Sequence, residues 1–153
     1  MPFSSENITR HFGHIFPTHV DALCELLIVL RQQFFGDLDL MLILAIISSR
    51  ALPARHTNSM TYAEFISGKS KDRADQPINI QAIAECSSIP RETVRRKVHK
   101  LEDLGFIARD PSGMLTVTDK AINQLAPATE ASLQYLITLG SSSLAVTPPE
   151  SSI

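Results

Sequence analysis

The sequence predicts a mainly helical protein carrying one small β-hairpin. Three observations lead there. Apolar residues recur at steps of three and four, as in Val20, Leu23, Leu27, Leu30 and Phe34, which is the period of a helix with one buried side. A second such row, Val94, Val98, Leu101 and Leu104, belongs to a segment rich in Arg and Lys. Gly105 then stops that helix, and two short alternating stretches follow, 106–109 and 114–117, around Asp110-Pro111-Ser112-Gly113, a turn composition.

A chain of 153 residues, 44% hydrophobic and 20% charged, is expected to fold as one domain with a core of its own. Its net charge of −2 excludes a protein that coats nucleic acid by bulk charge, so any such contact must come from a local concentration of cations. Residues 1–10 are polar and lack a signal-peptide pattern, and the longest apolar run, 40–47, is short for a membrane span. The expectation is a cytoplasmic protein with no membrane partner. Cys24 and Cys86 sit singly in helical patterns and read as free core thiols in a reducing compartment.

Along the chain, residues 1–17 contain Gly13 and Pro17 and read as an N-terminal arm or a short frayed helix. Thr18 is the expected N-cap of the first long helix and Gly36 its stop. Asp37 caps a second helix whose centre, 40–47, is apolar on every side. Such a helix must be covered all round, and pairing with a second copy would do this. A homodimer formed through helices 18–50 and 118–140 is therefore expected. Residues 61–66 allow one or two helical turns, 67–76 a polar loop, and 77–80 a short strand. A helix over 81–86, a turn at 87–89 with Ile89 buried, and a second helix over 90–104 opened by Pro90 come next. Thr118 caps a helix reaching Leu125, Pro127 restarts it, and 132–139 continues it with Leu133, Leu136 and Ile137 on one side. The tail 141–153, rich in Ser and Pro, is expected to be disordered.

Two helices over 78–105 followed directly by a hairpin over 106–118 make a winged helix-turn-helix, here flanked by dimerisation helices within a single domain spanning 18–140. With Val94, Val98, Leu101 and Leu104 inward, Arg91, Glu92, Arg95, Arg96, His99 and Lys100 are left on the open side. From Arg91 to Arg109 six basic residues stand against three acids, a local net of +3 in a chain of −2. Such segregation is the footprint of phosphate binding.

The residues Ile83-Ala84-Glu85, Pro90-Arg91-Glu92-Thr93-Val94-Arg95-Arg96 and Lys100-Leu101-Glu102-Asp103-Leu104-Gly105-Phe106-Ile107 resemble the DNA-binding domain of bacterial winged helix-turn-helix transcriptional regulators of the GntR and MarR type. The likeness covers about 40 residues, 78–118, and its motif is of moderate specificity. It implies a sequence-specific regulator of transcription that binds double-stranded DNA, with an Arg-x-Thr-x-Arg segment opening the recognition helix. By that resemblance Arg91 and Arg95 contact bases or phosphates and Thr93 lies near the backbone. Arg96 and His99 follow on the rim, Glu92 and Lys100 complete the helix surface, and Arg109 with Ser112 belongs to the wing. Many such regulators have Ser where this chain has Pro90, so that capping bond is lost, and the region before residue 77 matches neither type. Regulators of this kind often sense a small-molecule effector; Phe34, Phe35, Met41 and Tyr62 are apolar enough to line a cavity, but no convergent polar groups name a ligand.

Other chemistries have weaker support. His11, His14, His19 and Cys24 do not make a metal site, because Gly13 interrupts them and no carboxylate or Cys pair follows. There is no Gly-rich phosphate loop, no Gly-x-Ser-x-Gly elbow and no acid–base pair within one motif. Neither an enzyme nor a cofactor is expected. The competing reading is a winged-helix protein-interaction module without DNA binding, motivated by the modest overall charge and the apolar N-terminal half.

Overall fold

The structure, a computed structural model, describes residues 1, 3–51, 59–67 and 76–146. It is mainly α-helical with one small two-stranded antiparallel hairpin. The chain divides into two compact units, Met1–Gln32 with Pro127–Ile153, and Gln33–Ala126. This differs from the single domain expected over 18–140.

In the first unit the expected arm is helical. Helix α1, Ser5–Arg10, is opened by Ser4, whose hydroxyl accepts from the Asn7 amide at 3.1 Å. Helix α2, Phe12–Gln33, contains Pro17, whose missing N–H leaves the Gly13 carbonyl without an intrahelical donor. Thr18 is accordingly not a cap; its hydroxyl donates to the His14 carbonyl at 3.2 Å from within the helix. The buried residues of α2 are Ile15 and Ala22, whereas Val20 and Leu27 of the expected inward stripe are exposed. Because α2 is apolar on more than one side, the helical period admits either face, and packing chose the other one. By length and composition α2 also suffices to cross a membrane.

Helix α8, Ala126–Ala145, restarts the chain at Pro127 and runs through Ser141–Ala145, part of the expected disordered tail. Tertiary contact explains that extension: Ser143 is fully buried and accepts from the Asn7 side-chain amide at 3.5 Å. A 2.7 Å hydrogen bond between the His19 ring and the Tyr135 hydroxyl ties α2 to α8. Residues 147–153 of the tail and 68–75 of the polar loop lie outside the described residues.

The second unit is built around helix α3, Leu38–Ala51. One Asp37 oxygen accepts from the Leu40 amide at 2.9 Å, the cap expected there. Leu40, Ile43, Leu44 and Ile47 are buried. They are covered from within the unit, since α3 packs on helices α5, Ile80–Ser87, and α6, Arg91–Asp103, and on strand β2, Leu115–Val117. A single copy covers this row, whereas Leu42 on a neighbouring side of the helix stays 39% exposed. Helix α4, Tyr62–Ser67, starts at a capping box in which the Thr61 amide donates to Glu64 at 2.7 Å.

Asn79 caps α5 by accepting from Ala82 at 2.8 Å. Ser88 ends it in a left-handed conformation, and Ile89 turns into the core. Strand β1, Ile107–Arg109, pairs antiparallel with β2, Ile107 opposite Val117 and Arg109 opposite Leu115. Ile78 adds a single bridge to Leu115, which is all that forms of the short strand expected over 77–80, because Asn79 and Ile80 already open α5. Thr118 caps helix α7, Asp119–Gln124. Cys24 and Cys86 are free but exposed, so they are not core thiols.

Truncating Ile43, which is fully buried, is expected to cost about 2–5 kcal/mol through lost burial and the cavity left behind. Urea denaturation of Ile43→Ala against the unsubstituted chain checks this, and an unchanged midpoint would contradict the central position of α3.

Candidate nucleic-acid interface

Helix α6 positions the expected site, and its orientation follows from three side chains. Val94, Val98 and Leu101 are each 0% exposed, while Leu104, expected beside them, is only half-buried. At 100° per residue the opposite arc carries two rows of basic side chains. Arg95 and His99 form one edge and Arg96 with Lys100 the other, while Arg91 lies beside the buried arc, about 20° from Val98; all five are exposed. Glu92 and Asp103 lie between the rows, so the surface is mixed rather than purely basic.

Pro90 stands at the N-cap with φ −54° and ψ 136° and makes no side-chain cap bond. The first amides of α6 are therefore left open, which favours an anion at that end. At the other end Gly105 has φ +74°. Its amide donates to Glu102 at 2.8 Å, and the Phe106 amide donates to Leu101 at 3.0 Å. This is the paired bonding of a Schellman stop, and it sends the chain straight into the hairpin. Thr118 closes the far side by donating to the Gly105 carbonyl at 2.6 Å.

The hairpin tip is organised by Asp110. One of its oxygens accepts from the Ser112 amide at 2.9 Å, the Ser112 hydroxyl at 2.6 Å and the Met114 amide at 3.0 Å. These bonds hold the Asp110 carboxyl below its ordinary range, the Ser112 hydroxyl contributing most. Ser112 is thus at the exposed tip with its hydroxyl already engaged. Arg109 does not reach freely outward either. Its Nε donates to Glu102 at 2.6 Å, and His99 approaches the other Glu102 oxygen at 3.3 Å. Glu102 therefore clamps hairpin to helix.

Arg95 is held in the same way. Its guanidinium makes a two-pronged contact with Glu92, at 2.9 and 2.6 Å. The bond from Arg95 holds the Glu92 carboxyl low, against a smaller opposing effect of desolvation, with the Arg96 and Arg91 charges adding to it. Arg96 approaches the Thr93 hydroxyl at 3.5 Å. Arg91 has no ion-pair partner among the described residues.

Three features were missed by reading the motif alone. Lys97, counted among the cations, is withdrawn from the surface by a 2.6 Å ion pair with Asp37 at the start of α3. The Asp37 carboxylate thus caps one helix and ties down another. Lys100 lies over the Phe35 ring at 5.1 Å from its centre. Phe35 is 64% exposed and has φ +57°, a left-handed conformation costly for a bulky side chain. Phe35-Gly36-Asp37 forms the joint between α2 and α3, and only the fold brings it to α6. Phe34 is buried, and Met41 partly so.

No family model matches the chain, and neither does a curated protein or a solved structure. Among the described residues there is no group of three or more His, Cys, Asp or Glu able to hold a metal ion.

Burial pushes the Asp37 carboxyl upward, but the bond from Lys97, the Leu40 amide and the Lys97 and Lys100 charges outweigh it and leave the group below 3.8. A carboxyl depressed by folding contributes stability above its unfolded value, and that contribution is lost as pH falls through the folded value. Denaturation midpoints should therefore drop below pH 3.8. Asp37→Asn should be less stable at neutral pH and lose less on acidification; parallel pH profiles for the two proteins would refute the assignment.

Proposed function

We propose that this chain is a sequence-specific double-stranded DNA-binding regulator of transcription with a winged helix-turn-helix, α6 entering the major groove and the hairpin 106–117 lying on the flanking backbone. The observation that carries this reading is the outward arc of α6. Its inward residues are completely buried, so Arg96 and Lys100 face away from the core and Arg95 flanks that arc, while exposed Arg91 stands in the helix's first turn beside the buried side. The unfilled N-cap at Pro90 adds free amides at the same end. A cytoplasmic location accords with this activity.

The acids on the arc refine the expectation. Arg95 is presented by Glu92, and an exposed pair of this kind contributes little because water and salt screen it. A bidentate Arg–guanine contact provides about 1–3 kcal/mol of discrimination, enough to draw Arg95 from its intramolecular partner. Arg91 is available without such an exchange. The same interleaved acids motivate a second reading, a winged-helix module that docks a protein of mixed charge and binds no DNA.

Selection of bound fragments from genomic DNA, followed by titration of the recovered site, separates the two readings; retention of no sequence at low salt would refute the DNA reading. Arg91→Ala with Arg95→Ala is expected to weaken binding roughly ten- to a hundredfold or more and lower the salt slope by about 2. Glu92→Gln should act in the opposite direction. It removes a negative charge from the groove side and releases Arg95, so affinity should rise several-fold. A loss of affinity in Glu92→Gln would mean that Glu92 itself reads a base.

A further inference from the structure

We infer that Phe35 and Lys100 form a backbone-phosphate subsite, in which the ring holds the Lys100 ammonium in place for a phosphate of duplex DNA. The subsite rests on the DNA reading and adds to it a residue from outside the helix-turn-helix. Phe35 belongs to the joint between α2 and α3, and its neighbours fix it. Phe34 is 4% exposed and turns into the core. The Asp37 amide donates to the Phe34 carbonyl at 2.9 Å, and the Asp37 carboxylate holds Lys97 of α6 at 2.6 Å. With both flanks tied down, the Phe35 ring is left projecting, 64% exposed.

The backbone at this joint suits a different residue. Phe35 has φ +57° and Gly36 φ +79°, two successive left-handed positions where Gly or Asn carries the least strain. A bulky aromatic held there lowers stability, and so exposed a ring recovers little of that by burial. Among the described residues its ring contact is Lys100, whose Nζ lies 5.1 Å from the ring centre. In water such a contact is weaker than the strain that accompanies it. It strengthens once the pair is desolvated, as happens when a nucleic-acid backbone covers it. The ring therefore contributes most with a ligand bound.

The charge pattern names that ligand. Lys97 is committed to Asp37. Lys100 has no ion-pair partner among the described residues and keeps its charge for an incoming anion. Arg96 stands one turn before it on the same edge of α6, so two cations follow one line that ends at the ring. Point charges spaced along a line match successive phosphates of one strand. A Lys ammonium meets phosphate on a flexible stem, and the ring removes part of that freedom before binding.

Binding to random-sequence duplex DNA at low salt tests the subsite, since backbone contacts suffice there. Phe35→Asn should weaken binding roughly three- to tenfold. Its urea midpoint should stay equal or rise, because Asn tolerates the left-handed backbone. Phe35→Trp keeps a ring face and should retain affinity. Added to Lys100→Ala, Phe35→Asn should weaken binding no further, because the ring acts through the ammonium. Four results would each overturn the subsite and leave the DNA reading standing: undiminished binding by Phe35→Asn, a lower urea midpoint in that variant, an equal loss in Phe35→Trp, or a double variant that shows the sum of both losses. An unsubstituted chain that binds no duplex removes the DNA reading itself, and the subsite with it.

Discussion

Burial of the inward row of α3, Leu40, Ile43, Leu44 and Ile47, underlies the second unit. Helices α5 and α6 and strand β2 all lay apolar side chains on it, so each takes its orientation from the same surface. Turning Val94, Val98 and Leu101 inward leaves α6 no freedom to rotate, because each buried apolar side chain is worth about 1.5–3 kcal/mol. The direction of the cations is thus set by oil rather than by charge. The Schellman stop at Gly105 and the double role of Thr118 then carry that orientation into the hairpin.

Charge acts on a finer scale. Glu92 holds Arg95, Glu102 holds Arg109, and Asp37 holds Lys97. These contacts differ in kind. The Asp37–Lys97 pair is mostly covered and joins two helices, which makes it structural. The Glu92–Arg95 pair is exposed, is screened by salt and contributes little to stability. It can therefore be exchanged for another anion at small cost. Glu102 is intermediate, joining strand to helix while His99 stands at its other oxygen. A surface of five exposed basic groups interleaved with acids suits a ligand that places charges at defined points better than one that only neutralises a field.

Much of the second unit was legible because its signals are local. Asp37, Thr118 and Gly105 each specify an element boundary through bonds within a few residues, and the spacing of Val94, Val98 and Leu101 specifies a face, whereas Asn79, read as part of a short strand, caps α5. The first unit was harder to read. Pro17 and Gly13 argue for an arm, yet α2 runs through both. Thr18 has the chemistry of a cap and serves instead as a mid-helix donor. The stripe from Val20 to Phe34 has the right period, but α2 is apolar on neighbouring sides, and a period cannot choose between two apolar faces. Ser141 and Ser142 look like the start of a tail, and only the burial of Ser143 makes them helical.

The sequence by itself determined the kind of elements, the caps and stop that bound α3, α6 and α7, and the segregation of cations on one segment, because these depend on hydrogen bonds and periodicities within a few residues. Only the tertiary structure decided which cations are occupied, that Lys97 faces Asp37, and that Phe35 lies beneath Lys100. It also decided that one row of α3, Leu40, Ile43, Leu44 and Ile47, is covered within one copy while α2 and α8 keep apolar side chains in water. Those outcomes depend on contacts between segments far apart in the chain, where burial selects among faces that local spacing leaves equivalent.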